Sequence, residues 1–548
     1  MQIPFSKLPG FNEFFLEYIN DFNSLKEFFN YNYTEKENLF KSLVDKEENY
    51  LNKKLFTRND LADILLIQNK IFNASDTALQ NIELLRNENT FAVVTGQQAG
   101  ILTGNLYTVI KAINTFQLTK KYAEDFPEYN FVPVFWLEAD DHDFLEVNNI
   151  NVFDRENNLV KMEYFENGTP QERYLTPVNS ILLDDFIEKF KSDLSDSLLK
   201  TDFSEYVFDF IDRSYKSGIS LSVAFARLIN YLIGDLGIIF CNPADKEIKK
   251  LLIPVFEKEL NTYPATCERV IETSAVIEQK YEPQVKPQPI NIFYNHNNHR
   301  HLIEPRPENI FALKNSRQRF EKAQLLEQLY TSPENFSGNV ILRPICQDYL
   351  LPTVAYVGGP SEIAYFGQFK SVYEFFDVNM PVIYPRTSVT LLESRVENFI
   401  SKNGFSLEEF FDEKKITAKL MNKINELNVE EIFNNFKDEL NALYYSVGID
   451  LEKIDKNLLT AFKNKNEKYI ESLQYLKDKF IESQAKQNES AILKLKSAIQ
   501  SIYPDEVLQE RYINIIYYLN KYGMIIINRL IESMDVNNFN HQVIEISS

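Results

Sequence analysis

The chain has 548 residues, 44% of them hydrophobic and 14% aromatic, which is more apolar material than one ordinary core holds and sets an expectation of two or three domains. Its 58 basic and 79 acidic residues give a net charge of -21, a field that opposes a broad nucleic-acid or anionic-membrane footprint while leaving room for a small basic pocket. Cys241, Cys267 and Cys346 are far apart with no CxxC, the N-terminus lacks the pattern of a signal peptide, and no apolar run reaches the roughly 18 residues of a membrane span; a reduced, cytoplasmic protein is expected.

Residues 1 to about 90 read as helical. Phe11, Phe14, Phe15, Tyr18, Phe22, Leu25 and Phe28 recur at helical spacing, and Ser75 and Asp76 are placed to cap the pattern Leu79, Ile82, Leu85. Two buried-strand patterns follow, Phe91 to Val94 and Phe131 to Leu137, with a helix between them. The order strand, polar turn, helix, strand is a βαβ unit, whose parallel crossover brings both strand ends to the same sheet edge. Each end carries a polar cluster: Thr95 to Gly104 after the first strand, and Glu138-Ala139-Asp140-Asp141-His142-Asp143 after the second. Ligands of open α/β sheets bind outside that edge.

The α/β pattern is interrupted twice. Residues 147–215 read as one insertion, with a turn signal at Glu166-Asn167-Gly168, and 216–261 resume the core with a strand at Ile238 to Cys241. Residues 262–312 read as a second insertion, carrying Pro283, Pro287, Pro289, Pro305 and Pro307 and a hairpin about Asn295 to Arg300. His296, His299 and His301 lie there, but without a carboxylate or cysteine at close ligand spacing, so no metal site is assigned. Residues 313–388 complete the core through strands expected at Val340 to Leu342, Pro352 to Val357 and Pro381 to Tyr384.

From 389 to 548 a helical domain is expected. Gly448 and the cap candidate Asp450 introduce a long helix over about 450–500, in which Phe462, Tyr469 and Leu476 form one heptad series and Leu459, Asn466, Leu473 and Phe480 its companion. Unbroken, that coiled-coil helix would be roughly 75 Å long and would need a partner helix, in this chain or in a second copy.

Three constellations can carry chemistry. Thr95, Gly96, Gln97, Gln98, Gly100, Thr103 and Gly104 offer amides, hydroxyls and backbone N–H groups at a helix start, suited to a carboxylate or phosphate, with Tyr107 just beyond. The motif is neither a Walker A loop nor GxGxxG. In the acidic cluster, His142, tuned by Asp141 and Asp143, is the candidate for proton transfer, and Glu138 and Asp140 join the binding set. A divalent ion such as Mg2+ on Asp140, Asp141 or Asp143 is compatible but not required, and the bland alternative is an exposed acidic loop. Gly358, Gly359, Pro360, Ser361 and Glu362 form a second cradle at a helix start. Arg343 and Arg386, each after an expected strand, supply positive charge, with Ser388 close by; either arginine could equally pair with the acidic cluster. Cys346, without a histidine near it in sequence, is set aside as a nucleophile.

Four segments carry a family resemblance: VVTGQQAGILTGNLYTVIKA from Val93, PVFWLEADDHDFLEVN from Pro133, LRPICQDYLLPTVAYVGGPSEIAYFGQ from Leu342, and LQERYINIIYYLNKYG from Leu508. Together they resemble the BshC family, the bacillithiol synthases or cysteine ligases. The resemblance implies a Rossmann-like parallel core with two connecting insertions, a C-terminal coiled-coil domain and a homodimer. It also implies the last step of bacillithiol synthesis, joining the L-cysteine carboxylate to the amine of glucosaminyl malate. Where family members carry EDHD this chain has Asp140 in place of the glutamate, and where they carry GPLYT it has Asn105 in place of the proline. Amide formation from a free carboxylate is uphill in water, so activation by ATP, as an acyl phosphate or adenylate, is expected. The rival readings are a nucleotidyl-transferase or synthetase-like enzyme with another substrate, and a dimeric coiled-coil scaffold with a vestigial pocket.

Overall fold

The computed structural model describes residues 1–50, 54–165, 175–425, 429–452 and 456–547, so the turn signal at 166–168 lies outside the described residues. They form two compact units: 1–390 together with 509–546, and 391–508.

The core of the first unit is a parallel sheet of five strands: β1 (Thr90–Gln98), β2 (Asn130–Glu138), β3 (Ile239–Cys241), β4 (Thr353–Gly358) and β5 (Val382–Pro385). Across the sheet they run 3-2-1-4-5. This is the Rossmann-like order, and the strand sequence reverses direction between β1 and β4, where such sheets open a crevice at their C-terminal edge. β1 and β2 stay in register over nine pairs, from Thr90 with Asn130 to Gln98 with Glu138. Both are buried along most of their length because helices cover both faces, which is why they read as continuous apolar runs.

The N-terminal helices pack onto this sheet. Asn12 and Ser75 cap their helices by accepting from Phe15 N and Ala78 N. Tyr18 donates to the Ile383 carbonyl on β5 at 2.6 Å. At the other side, the Asn69 amide exchanges two hydrogen bonds with the Phe240 backbone and Gln68 does the same with Asn242, so two side chains stand in for a neighbouring strand on the open edge of β3.

The first insertion contains the antiparallel pair Asn149–Phe153 and Leu159–Glu163 and the helices Phe186–Ser197 and Ser204–Ser214. The second builds an antiparallel sheet of five strands that continues to Gly338, past the expected limit of 312. Its hairpin joins Ile292–His296 to His299–Arg306 through Asn297 and Asn298, both at positive φ, as a two-residue turn requires. The expected strand at Val340 to Leu342 is not formed. Leu342–Leu350 is a helix instead, entered through Asn339, whose Oδ1 accepts from Ile341 N and Leu342 N. A three-residue apolar run does not distinguish a strand from a first helical turn, and here the asparagine decides.

Residues 509–546 pack with the first unit, and 391–508 form the helical unit. The last strand, His541–Ile546, pairs antiparallel with Gln2–Ile3. Within the helical unit, Val429–Glu452 packs against Lys456–Gln487, and Glu489–Ile502 follows. The helix expected unbroken over 450–500 is therefore divided, and Asp450 lies inside the preceding helix rather than at a start. Gly448 is absorbed there, at the usual cost of about 1 kcal/mol. The heptad seam finds a partner in its own chain: Asn466 Nδ2 donates to Asn441 Oδ1 at 3.0 Å, and Tyr444 packs on Phe462 and Tyr469 with ring centroids 4.5 and 6.0 Å apart.

Candidate active site

At the C-terminal edge of the sheet lies a cavity of about 760 Å³, bounded by the ends of β1 and β2, the entry of the helix after β4, the second insertion and the returning C-terminal segment. Its walls hold five cationic side chains, Lys111, Arg300, Arg343, Arg386 and Arg511, and the carboxylates Glu138, Asp141 and Glu362. In a chain of net charge -21 this is a local reversal of sign.

The polar stretch after β1 differs from the expected loop. Thr95 to Gln98 remain on the strand, Ile101–Thr103 makes a short 3-10 turn, and the helix begins only at Tyr107. Backbone donors at this turn are already used: Leu102 N donates to the Tyr215 hydroxyl, Gly104 N to Ile101 O and Leu106 N to Ile513 O. The expected anion cradle of N–H groups is thus not free. Leu102, Thr103 and Gly104 all have positive φ, an arrangement that persists only when its surroundings fix it. Asn514 does so by donating to the carbonyls of Leu102 and Gly104. A Cβ on Gly100 would stand 3.0 Å from the Gly104 Cα, so close packing, rather than a ligand, accounts for that glycine.

Of this group, Gly96, Gln97, Gln98 and Tyr107 line the cavity. Thr95 and Thr103 are fully buried, Thr95 donating to Val357 O at 2.9 Å, and Gly100 and Gly104 face an adjoining cavity of about 460 Å³. A Cβ on Gly96 would lie 3.3 Å from Trp136 O and 3.5 Å from the Arg343 guanidinium, a tight fit. Gln97 donates to the Tyr107 hydroxyl at 2.9 Å, and Gln98 donates to Asp141 Oδ2 at 2.7 Å. Burial, then Glu362, pushes the Tyr107 phenol up to about 12. Lys111, one helical turn past Tyr107, donates to Gly96 O, Gln97 Oε1 and Glu362 Oε2 at 2.9, 3.2 and 2.5 Å.

The acidic cluster divides by role. Burial pushes the Glu138 carboxyl up to about 7, against the pull of Arg343, whose Nε lies 3.5 Å away. Asp140 turns away to a buried ion pair with Lys249 at 2.5 Å. Burial would raise Asp141, but hydrogen bonds from His142 and Gln98 and the Arg300 charge hold its carboxyl well below the usual range. Arg300 Nη1 lies 3.0 Å from Asp141 Oδ1 and 3.3 Å from His142 Nδ1, while Asp141 Oδ1 is 3.5 Å from the same His142 nitrogen. Asp143 is exposed and stands outside the cavity lining. The three aspartates thus do not converge as ligands for one Mg2+, and no group of three His, Cys, Asp or Glu suited to a metal occurs among the described residues.

At the switch point, Gly359, Pro360, Ser361 and Glu362 line the cavity and Gly358 does not. Glu362 accepts from Gly359 N at 2.7 Å and from the Tyr356 hydroxyl at 2.6 Å, so this second expected cradle has its first N–H internally occupied. Burial would raise Glu362, but Lys111 and Arg343 hold it below the ordinary carboxylate value. Arg343 reaches the cavity from the first turn of helix Leu342–Leu350 and donates to the Tyr365 hydroxyl at 2.5 Å. Arg386 pairs with the buried Glu510 through two bonds, at 2.9 and 2.5 Å, and not with the acidic cluster. Its Nε is buried without a partner. Ser388 donates to Glu510 at 2.9 Å and touches His541, so it supports Arg386 from outside the cavity. Arg511 makes no hydrogen bond or ion pair among the described residues; burial, then Arg386, lowers its pKa.

The segments around residues 96, 138, 343, 359 and 386 therefore meet in one cavity, as the sequence implies. Lys111, Arg300, Glu510, Arg511 and Asn514 were missed. Lys111 was legible, since it shares a helical face with Tyr107. Arg300 lies in an inserted hairpin, and the remaining three lie more than a hundred residues beyond β5.

Comparison with known proteins agrees with this architecture. Residues 1–387 match the family described as "Bacillithiol biosynthesis BshC, N-terminal Rossmann-like domain", and 389–546 match "Bacillithiol biosynthesis BshC, C-terminal coiled-coil domain". Relatives named "Putative cysteine ligase BshC" are 33% identical in Chloroherpeton thalassium (89% of each chain), 32% in Salinibacter ruber (99% of this chain, 97% of the other) and 31% in Bacillus anthracis (97% of each). A solved structure titled as a putative arginyl tRNA synthetase from Campylobacter jejuni aligns with 84% of this chain and 100% of its own at 11% identity and a TM-score of 0.22, which carries no argument. By two family matches that together span residues 1–387 and 389–546, and by relatives above 30% identity along most of its length, the chain belongs to the BshC family of bacillithiol biosynthesis.

Proposed function

We propose that the protein is a ligase that joins the carboxylate of L-cysteine to the amine of glucosaminyl malate, with ATP as the co-substrate that activates the carboxylate. The names of its relatives support this reading. The observation that carries it is the polarity of the cavity. One end presents Arg386, with its unpartnered buried Nε, beside Arg511. The other holds Glu138, poised near neutrality, beside Asp141, His142 and Arg300.

An oxyanion fits the first end, because a buried guanidinium N–H without an acceptor costs free energy until one arrives. Arg386 and Arg511 would bind the malyl carboxylates, and Arg343 is placed to steady further negative charge, including that of a phosphate chain. ATP supplies the driving force for amide formation when bound.

At the second end the attacking amine must lose a proton as its nitrogen bonds to the acyl carbon and the activating group departs. Glu138, with a pKa of about 7, is in a state to accept that proton. His142 Nδ1 lies 3.3 Å from the Arg300 guanidinium and 3.5 Å from Asp141 Oδ1, so those two groups hold the ring and His142 Nε2 would face the acyl oxygen. The role first read for His142 thus moves to Glu138. Asp141 positions Arg300 and His142, and Asp143 has no part.

The test is mass spectrometry of the protein with ATP, L-cysteine and glucosaminyl malate. A cysteinyl-amide product is expected, and its absence beside an active control ligase would overturn the reading. The homodimer also stands as a proposal: Phe436, Leu443, Tyr445 and Leu476 are exposed on the helical unit and suit a second copy.

A further inference from the structure

A second polar cleft, of about 160 Å³, opens at the opposite edge of the same sheet, near the starts of β4 and β5. Three lysines line it, Lys46 from helix Lys36–Asn49, Lys54 from the following segment, and Lys258 from helix Lys246–Thr262. We propose that this cleft is a binding site for a small dianion of the phosphate class, separate from the cavity described above.

The unmet valence of its walls supports the site. Lys46 Nζ has one acceptor, Asn379 O at 3.2 Å; Lys54 Nζ has one, Tyr349 O; Lys258 Nζ has Phe375 O and, at 3.4 Å, Asp377. An ammonium offers three donors, so each retains at least one for a ligand. Tyr349, in the same wall, has its phenol oxygen buried without a partner. The carboxylate in the wall, Asp348, is turned elsewhere, accepting from the Tyr373 hydroxyl at 2.5 Å and from Gln347 at 2.9 Å. A phosphate-sized anion fits the volume and would meet donors from three separate elements.

The cluster is also electrically strained. Burial lowers Lys54 to about 5, helped by Lys46 and Arg58, and lowers Lys46 to about 8. The groups facing Lys54 are Lys46, Arg58 across the Tyr50 ring, Lys258, Tyr50 and Tyr349, with Asp348 and Asp377 as the acidic ones. A bound dianion would restore charge on Lys54, so binding should take up a proton and tighten as pH falls from about 8 until the ligand takes its own second proton, at a pKa of about 6. Helix Leu342–Leu350 carries Arg343 at its cavity end and Asp348 and Tyr349 at this one, so the two sites share one rigid element.

The test is calorimetric titration of the full-length protein with inorganic phosphate, and in a parallel arm with glycerol 3-phosphate, at pH 7 in two buffers of different ionisation heat. Lys54→Met and Lys258→Met are each expected to weaken one phosphate site at least tenfold and to abolish its proton uptake, whereas Arg511→Met in the other cavity leaves that site intact. Lys258 is partly exposed, so its variant keeps the test decisive if Lys54→Met fails to fold. Tighter binding of glycerol 3-phosphate would identify a phosphomonoester as the occupant, and tighter binding of phosphate the free anion. A phosphate isotherm unchanged by Lys258→Met would overturn the proposal.

Discussion

Replacing Glu138 by glutamine should make the core more stable and the protein less active. The carboxyl is held at about 7 against an ordinary value of 4.5, chiefly by burial. At 1.36 kcal/mol per pKa unit, ionising it in the folded state costs about 3 kcal/mol. The sign follows from proton linkage. Below the unfolded pKa both states are neutral and nothing is lost; between about 4.3 and 7 the unfolded chain is ionised first and wild-type stability falls; above 7 the full cost is present. Glu138→Gln should therefore match the wild type near pH 4 and exceed it by about 3 kcal/mol at pH 8. Trp136 is the only tryptophan, buried on β2, and its Nε1 lies 3.3 Å from Glu138 Oε2, so urea unfolding followed by its fluorescence reports this core alone. In kinetics, the same variant should lose at least a hundredfold in kcat, together with the rise in rate through pH 7, at nearly unchanged KM. A stability difference that does not vary with pH, or a variant with wild-type kcat, would refute the reasoning.

Glu510→Gln should act in the opposite sense. Burial opposes it, but Arg386, then His541 and Val389 N, hold the Glu510 carboxyl at about 2, so its contribution of about 3 kcal/mol is present at pH 7 and lost as pH falls from about 4.3 through 2, measurable by the same unfolding series. Arg511→Met should raise KM for glucosaminyl malate about tenfold, the equivalent of about 1.4 kcal/mol, with little change in kcat or unfolding. Asn514→Ala, which removes two hydrogen bonds from the positive-φ turn at Leu102 to Gly104, should cost about 1–3 kcal/mol in urea titration. Sedimentation should show a dimer that Leu443→Glu with Leu476→Glu converts to monomers.

Much of the fold was legible because it rests on short-range pattern. The runs at Phe91 and Phe131 are apolar along their whole length, as doubly covered parallel strands require, and the clusters that follow them lie at the sheet edge. Where pattern was ambiguous, a single side chain decided: Asn339 turned an expected strand into a helix, and Asn466 found its partner within the chain rather than in a second copy. The site was read only in part. Residue types identified the edge, but not that Asp140 would be taken by Lys249, or that the donors near Gly104 would be consumed by Tyr215 and Ile513. Arg300 and Arg511 arrive from an insertion and from the chain's last return, and no local periodicity announces a contact such as that of Arg300 with Asp141, 159 residues away.

The most direct test is a crystal structure with glucosaminyl malate and L-cysteine bound. The account predicts malyl carboxylates on Arg386 Nε and Arg511, with the sugar amine within hydrogen-bond reach of Glu138. Both substrates bound elsewhere, with this cavity filled only by solvent, would contradict it.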